Sequence, residues 1–159
     1  MKSKEVRSAI SFAKKYHEGQ SYGAGSFFKL HIMAVYNLIK TIVSDKNTVY
    51  MIVAILHDVV EDTNVSIKSI GEKFGLEAMD AIDCITKRNG EKYDDYILRV
   101  AENKIAYTVK YADLLSNLKS LPTSQFSSKK KLALVGRWTK ALSILGVLVV
   151  SGDEDLISR

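Results

Sequence analysis

Apolar residues recur three and four positions apart along most of this chain of 159 residues, and stretches that alternate apolar with polar residues are nearly absent. The spacing of three and four gathers apolar side chains on one face of an α-helix, whereas alternation is typical of a half-buried strand. Pro122 is the only proline, so few positions exclude a helix through the proline ring. The pattern therefore predicts an all-α fold.

Helix ends are marked by serine, glycine and proline residues at the borders of the periodic segments. The predicted helices cover residues 3–18, 29–43, 47–60, a short stretch from residue 66, and then 76–86, 93–101, 105–121 and 127–150. A glycine-rich loop, residues 19–26, separates the first two helices. We expect residues 1–150 to form one compact helical bundle and residues 151–159 to form a flexible polar tail.

The composition indicates a protein of the reducing cytoplasm. Apolar residues make up 47% of the chain, enough for a substantial core, and Cys84 is the only cysteine, which excludes an internal disulfide. The N-terminal segment carries charges among its apolar positions and lacks the apolar block of a signal peptide. The longest uncharged run, residues 141–152, is too short to span a bilayer. We therefore expect a soluble protein with no membrane partner.

The net charge of +5 favours anionic ligands, but the basic residues are spread along the chain. The one compact basic run, residues 129–131, lies near a predicted helix start, where the helix dipole disfavours cations. This run is interpreted as a solvated face, with a bound anion as the alternative. The distribution of charge argues against a nucleic-acid partner, and the sequence leaves an oligomer open.

Ionisable residues crowd the end of the apolar segment VAILHDVVED, residues 53–62. Residues four apart share a helix face, so His57 is expected beside Glu61, and Asp58 beside Asp62. Neighbouring carboxylates with a histidine repel one another unless a cation lies between them, and a divalent metal ion meets that need. The alternative is a solvated helix end at which His57 is hydrogen-bonded to Asp58.

Two further segments favour the metal site. His31 opens a helix with an apolar face, so its imidazole can point inward at the helix start. Asp113 lies in the otherwise apolar stretch VKYADLLSNLKSL, where a buried carboxylate requires a cation or several hydrogen-bond donors. Two imidazoles and two carboxylates suit manganese, iron, zinc or a similar ion. The predicted metal ligands are His31, His57, Asp58 and Asp113.

The order of these ligands, H…HD…D, resembles the pattern of the HD phosphohydrolase superfamily. Within it, the segments AKKYHEGQ, AILHDVVEDT and VKYADLLSNL are most similar to the hydrolase domain of the RelA/SpoT alarmone enzymes and their small stand-alone relatives. The resemblance implies a helical HD domain and a metal-dependent phosphohydrolase, with manganese as the ion. It also implies a nucleotide substrate, with pyrophosphate removed from the 3′ position of guanosine tetra- or pentaphosphate.

The same resemblance assigns roles to further residues. Glu61 and Asp62 match the catalytic pair that positions or deprotonates the attacking water. Asn117 matches an asparagine near the nucleotide, and Lys87 and Arg88 lie where relatives carry a basic residue toward the phosphates. Each has a simpler alternative: capping of a helix end for the acidic pair, packing against the carboxylate four residues earlier for Asn117, and solvated charge for the basic pair.

The loop over residues 19–32 departs from the alarmone hydrolases, which usually carry an arginine after the H-x-G-Q element and then a Pro-Tyr pair. Here Tyr22 stands near the arginine position, and Phe27 and Phe28 replace the Pro-Tyr pair. Tyr22 and Phe28 are predicted to stack on a substrate base, although a role in the core is equally compatible with the sequence. The loss of the guanidinium group puts recognition of guanine in doubt.

Two other functions stay open at this point. The HD scaffold hosts several phosphate-ester hydrolyses, so the chain is also compatible with a nucleotidase or a phosphodiesterase that acts on another nucleotide, including a cyclic one. A non-enzymatic module that senses a nucleotide is the third possibility, and the intact ligand set together with Glu61 and Asp62 argues against it.

Overall fold

The computed structural model describes residues 3–23, 25–44 and 46–151. Its α-helices are α1 Lys4–Tyr16, α2 Met33–Ile42, α3 Thr48–Leu56, α4 Val59–Asp62, α5 Ile67–Phe74, α6 Leu76–Ile85, α7 Tyr93–Ala101, α8 Lys104–Ser120 and α9 Ser128–Ser151. Short elements complete the described parts, namely strands β1 Ser21–Tyr22 and β2 Gly25–Ser26, a π-helical turn Phe28–Ile32 and a 3₁₀ turn Leu121–Thr123. The predicted tail lies outside the described residues, apart from Ser151.

The helices confirm the predicted all-α fold, and the two notable departures coincide with predicted metal ligands. The helix expected over residues 47–60 ends at Leu56 and resumes as α4, with a turn at His57 and Asp58. The helix expected over residues 29–43 begins with the π-helical turn that contains His31. A π-helical turn is rare and is found frequently at functional sites.

The glycine-rich loop contains a small antiparallel ribbon that the sequence did not predict. Strands β1 and β2 pair Ser21 with Ser26 and Tyr22 with Gly25. The turn between them includes Gly23, whose φ of 59° lies in the left-handed region that glycine adopts without a steric penalty. The ribbon leads directly into the π-helical turn and so places Tyr22 near His31.

Helix α3 forms the centre of the core. All its residues from Met51 to Leu56 are buried, although they cover every face of the helix. A helix that is apolar all round must be surrounded by other elements, and α3 contacts α1, α2, α6 and α8. Its C-terminal end carries His57, which is therefore delivered into the interior rather than to the surface.

Side-chain and glycine caps fix the helix borders. The Ser66 hydroxyl accepts a hydrogen bond of 3.2 Å from the backbone N–H of Ser69 at the start of α5, as the sequence predicted. Gly75, with a φ of 91°, ends α5 and lets α6 begin at the next residue. Asn103 caps α8 through its side-chain oxygen, which fixes the start of the helix that carries Asp113.

Helix α9 contacts α7 and α8, and its buried stripe is narrower than predicted. The apolar spacing of residues 127–150 predicts a core stripe that includes both Val135 and Leu145. Leu145 is fully buried, whereas Val135 is 37% exposed. The expectation for Val135 is wrong because the first turns of α9 are covered on one side only, so apolar spacing overstates the width of the contact. Within the described ranges, no helix is both long enough and apolar enough to cross a membrane.

Two leucines on α9 provide a matched test of this packing. Leu145→Ala removes a side chain with no exposed surface, so we expect it to lower the free energy of unfolding by about 2–5 kcal/mol. Leu132→Ala removes a side chain that is 75% exposed, so we expect a change within about 0.5 kcal/mol. Urea denaturation followed by circular dichroism measures both values. Equal losses in the two variants would contradict the described position of α9.

Candidate metal centre

Three separate elements bring the predicted metal ligands together. The π-helical turn supplies His31, the turn between α3 and α4 supplies His57 and Asp58, and α8 supplies Asp113. His31, His57 and Asp113 are each at most 4% exposed, and the side chain of Asp58 is 25% exposed. The centre is thus buried on three sides and reaches solvent beside Asp58.

The side-chain atoms of the predicted ligands lie close together, and those of His31, His57 and Asp113 lie within 4.8 Å of one another, a spacing at which they could share one ion. His31 Nε2 is 3.2 Å from His57 Nε2 and 3.3 Å from both Asp58 Oδ2 and Asp113 Oδ1. His57 Nε2 lies 3.1 Å from Asp58 Oδ2 and 3.9 Å from Asp113 Oδ1. Two atoms bound to one ion at about 2.1 Å lie about 3 Å apart at right angles, so this spacing fits a divalent metal ion.

The hydrogen bonding of His57 also fits metal coordination, whereas Nδ1 of His31 is buried without a hydrogen-bond partner among the described residues. His57 Nδ1 lies 2.9 Å from the carbonyl oxygen of Ala54, so Nδ1 carries the proton and Nε2 turns its lone pair toward the centre. The His31 ring stacks on Tyr22, with centroids 5.3 Å apart, and also lies near the Phe27 ring, with centroids 5.1 Å apart. These contacts fix both rings with Nε2 directed at the same point.

The charges of the cluster explain why it needs a cation. Burial disfavours the charged form of His31, but hydrogen bonds that its ring donates to Asp113 and Asp58 outweigh burial and raise its pKa to about 10. Burial likewise opposes ionisation of Asp113, yet Lys110 and the two histidines hold its pKa well below the usual range. Two ionised carboxylates therefore draw positive charge into the centre, which a divalent ion supplies in place of protons.

Two side chains on α8 hold the Asp113 carboxylate. Lys110 Nζ donates to Asp113 Oδ2 at 2.8 Å, and Asn117 Nδ2 donates to Asp113 Oδ1 at 2.6 Å. The Tyr22 hydroxyl donates in turn to the Asn117 side-chain oxygen at 3.0 Å. Sequence reasoning did not assign a role to Lys110, although its position three residues before Asp113 was the available signal.

The predicted catalytic pair lies just after the ligand turn. The Glu61 carboxylate accepts a hydrogen bond of 3.1 Å from the backbone N–H of Lys87, so it faces the loop that follows α6. Asp62 retains exposed surface, yet partial burial and the negative charges of Asp58 and Glu61 raise its pKa to about 6. A carboxyl group with this pKa exchanges protons readily near neutral pH.

A cleft of about 380 Å³ opens beside Glu61. Its other lining residues are Val60, Thr86, Lys87, Arg88 and Asn89. The two residues predicted to approach the phosphates, Lys87 and Arg88, therefore lie at one cleft together with a member of the predicted catalytic pair. Arg88 also forms an exposed ion pair of 3.5 Å with Asp83.

The aromatic residues of the loop occupy different places. Tyr22 lies against His31 at the metal centre, whereas Phe28 is 8% exposed and belongs to the core. Phe27 bridges the His17 and His31 rings, with a centroid distance of 5.1 Å to each. Stacking of Tyr22 and Phe28 on a base stays a prediction. The position of His17 at the end of the first predicted helix favours a hydrogen bond there, and its Nδ1 lies 2.7 Å from Oε1 of Gln20.

A solved structure shares the fold of this chain. The fold matches a metazoan protein described as an ortholog of SpoT that hydrolyses ppGpp, with a TM-score of 0.79 and 21% identity over 90% of this chain and 86% of that one. The match shows a shared helical architecture and confirms the predicted fold class. The chain matches no protein-family model.

Curated relatives are similar to this chain over most of its length. A guanosine-3′,5′-bis(diphosphate) 3′-pyrophosphohydrolase of Aquifex aeolicus is 30% identical over 139 residues, which cover 82% of this chain and 20% of that protein. A probable GTP pyrophosphokinase of Mycobacterium leprae is 29% identical over 143 residues, which cover 84% of this chain and 18% of that protein. The chain spans about a fifth of the length of these relatives. It is homologous to (p)ppGpp 3′-pyrophosphohydrolases, as its motifs predicted.

Loss of one ligand tests the centre without any assumption about substrate. We expect Asp58→Asn to lower the metal bound per chain after dialysis against a divalent transition metal, because an amide replaces a charged ligand. Asp83→Asn, which changes a half-exposed carboxylate outside the cluster, serves as the control and should keep the metal. Elemental analysis of both proteins gives the answer. Full metal content in Asp58→Asn would remove Asp58 from the ligand set.

Proposed function

We propose that this chain hydrolyses guanosine tetra- or pentaphosphate, removing pyrophosphate from the 3′ position with a divalent metal ion, which we take to be manganese. The proposed reaction is the one named for the Aquifex aeolicus relative, and we assign it to this chain by sequence similarity. It is supported by the match of the chain's H…HD…D residues to one buried cluster. We place the reaction in the cytoplasm and name the four ligands as His31, His57, Asp58 and Asp113.

One observation carries the proposal: three elements bring two imidazoles and two carboxylates together, and each imidazole Nε2 lies 3.1–3.9 Å from the other imidazole and from both carboxylates. Such a cluster is costly in an apolar core unless it holds a cation, because buried charge must be compensated. A fold alone would not select the chemistry, since related folds host different reactions. The cluster favours a reaction assisted by a metal ion. Among such reactions, hydrolysis of a phosphate ester is the one named for the Aquifex aeolicus relative.

His31, His57, Asp58 and Asp113 would hold the divalent ion, which when bound would supply activation of water and stabilisation of charge on a phosphate oxygen. Asp62 is suited to take a proton from the attacking water, since its pKa of about 6 is near the working range. Glu61 is held by the backbone of Lys87 and orients that water. Lys87 and Arg88 attract the phosphates to the cleft, and Asn117 keeps the Asp113 carboxylate in place.

Product analysis tests the reaction directly. Purified protein with manganese and guanosine tetraphosphate should yield guanosine diphosphate and pyrophosphate, which ³¹P NMR distinguishes from orthophosphate. Orthophosphate as the first product would point instead to a nucleotidase, and turnover of a cyclic nucleotide alone would point to a phosphodiesterase. Tight binding of the tetraphosphate with no product in the presence of manganese would contradict the proposed hydrolysis and favour a sensing module.

The roles of the acidic pair lead to a specific prediction. Glu61→Gln and Asp62→Asn should each lower kcat by about 10²- to 10⁴-fold, because the change removes a group that acts on water. Bound metal should stay at the wild-type level in both variants, which elemental analysis measures. Glu72→Gln, a change at an exposed ion pair on α5, is the control and should keep full activity. Loss of metal from both variants would make these residues ligands or structural supports instead.

Substrate choice leads to a second prediction. The Tyr22 hydroxyl is bonded to Asn117 and Ser120, so this position offers a ring for stacking and no guanidinium to read the base. A site that lacks a placed donor discriminates poorly between bases. We expect a weaker preference for guanine over adenine tetraphosphate than the Aquifex aeolicus relative shows.

The comparison requires kcat/KM for both tetraphosphates, measured for the two proteins at the same manganese concentration. A guanine preference as strong as that of the relative would show that another loop reads the base. Equal rates for the two bases would agree with the loss of the arginine from the loop.

A further inference from the structure

Arg99 on α7 uses its whole guanidinium group within the protein. Its Nε and Nη2 donate to the two carboxylate oxygens of Glu91, each at 2.8 Å. This bidentate pair is shielded, since the side chains of Arg99 and Glu91 are 16% and 14% exposed. Such fork-shaped pairs are stronger and more directional than a single ionic contact.

The remaining donors of Arg99 bind the end of α6. Nη1 donates to the carbonyl oxygens of Asp83 and Cys84, at 3.2 and 2.9 Å, and Nη2 donates to that of Thr86 at 3.0 Å. Carbonyl groups in the last turn of a helix have no partner inside the helix. Arg99 therefore fixes both the end of α6 and, through Glu91, the loop that follows it.

The loop that follows α6 lines the cleft beside Glu61 through Thr86, Lys87, Arg88 and Asn89. Glu91 Oε2 also accepts a hydrogen bond of 2.9 Å from the backbone N–H of Arg88. The backbone N–H of the preceding residue, Lys87, donates to the Glu61 carboxylate at 3.1 Å. The hydrogen bond from Arg99 lowers the pKa of Glu91 to about 2, so the carboxylate keeps its charge across the physiological range. Arg99 is therefore linked to Glu61 of the predicted catalytic pair through Glu91 and the backbone of the neighbouring residues Arg88 and Lys87.

We infer that Arg99 is a positioning residue: with Glu91, it holds residues 86–91 so that Lys87 and Arg88 form a phosphate-binding wall and Glu61 keeps its orientation. The inference rests on the proposed function only for the identity of the substrate. The prediction that the ligand is anionic does not depend on that function. Only arginine can meet these contacts, because lysine has one flexible ammonium group and cannot fork to a carboxylate while capping three carbonyls.

The test compares Arg99→Lys with wild type in three measurements. We expect kcat/KM for guanosine tetraphosphate to fall by about tenfold or more, since small displacements of positioning groups have effects of this size. We expect the dissociation constant of inorganic pyrophosphate, measured by calorimetry with manganese present, to rise by a similar factor. Amide hydrogen exchange at Lys87 and Arg88 should become faster, while metal content stays unchanged.

Leu145→Ala is the control for a general loss of stability, because it weakens the core at α9 and leaves these contacts in place. If Arg99 only stabilised the fold, Arg99→Lys and Leu145→Ala would reduce kcat/KM equally, and that result would overturn the inference. Wild-type pyrophosphate affinity in Arg99→Lys would overturn it as well. A wild-type protein that binds pyrophosphate but leaves the tetraphosphate intact would contradict the proposed function only, and loss of that binding in Arg99→Lys would still support the positioning role.

Discussion

Two carboxylates and two imidazoles occupy one buried volume next to an otherwise apolar core, and the molecule has to compensate their charge there. Lys110 supplies one internal positive charge through its contact with Asp113. The remaining charge comes from protons on the histidines or from a metal ion, and only the ion also brings reactivity toward phosphate. Burial thus makes the centre both costly to form without a cation and suited to bind one.

The regular and irregular parts of the fold have different roles around this centre. Helices α3 and α8 pack in the core and deliver His57 and Asp113 to fixed positions. The π-helical turn and the turn after α3 depart from α-helical geometry where His31 and Asp58 have to face the same point. A continuous α-helix would direct these side chains according to its own repeat, so the breaks in the helices are part of the site.

The sequence predicted the helices well because their apolar spacing is regular and local. Helix ends are also marked by local residues, such as Ser66 and Gly75 at the two ends of α5. It predicted that His31, His57, Asp58 and Asp113 lie together because their residue types follow the H…HD…D pattern. It could not predict the π-helical turn or the bidentate ion pair of Arg99 with Glu91, since both depend on tertiary contacts. The error at Val135 has the same origin, because periodicity does not tell how much of a helix face a neighbour covers.

The most direct test of the central claim is a crystal structure grown with manganese and measured at a wavelength where manganese scatters anomalously. The account predicts one strong anomalous peak within about 2.3 Å of nitrogen or oxygen atoms from His31, His57, Asp58 and Asp113. His57 should keep its Nδ1 hydrogen bond to the Ala54 carbonyl in that structure. A peak elsewhere, or these four side chains well ordered with no peak between them, would contradict the account.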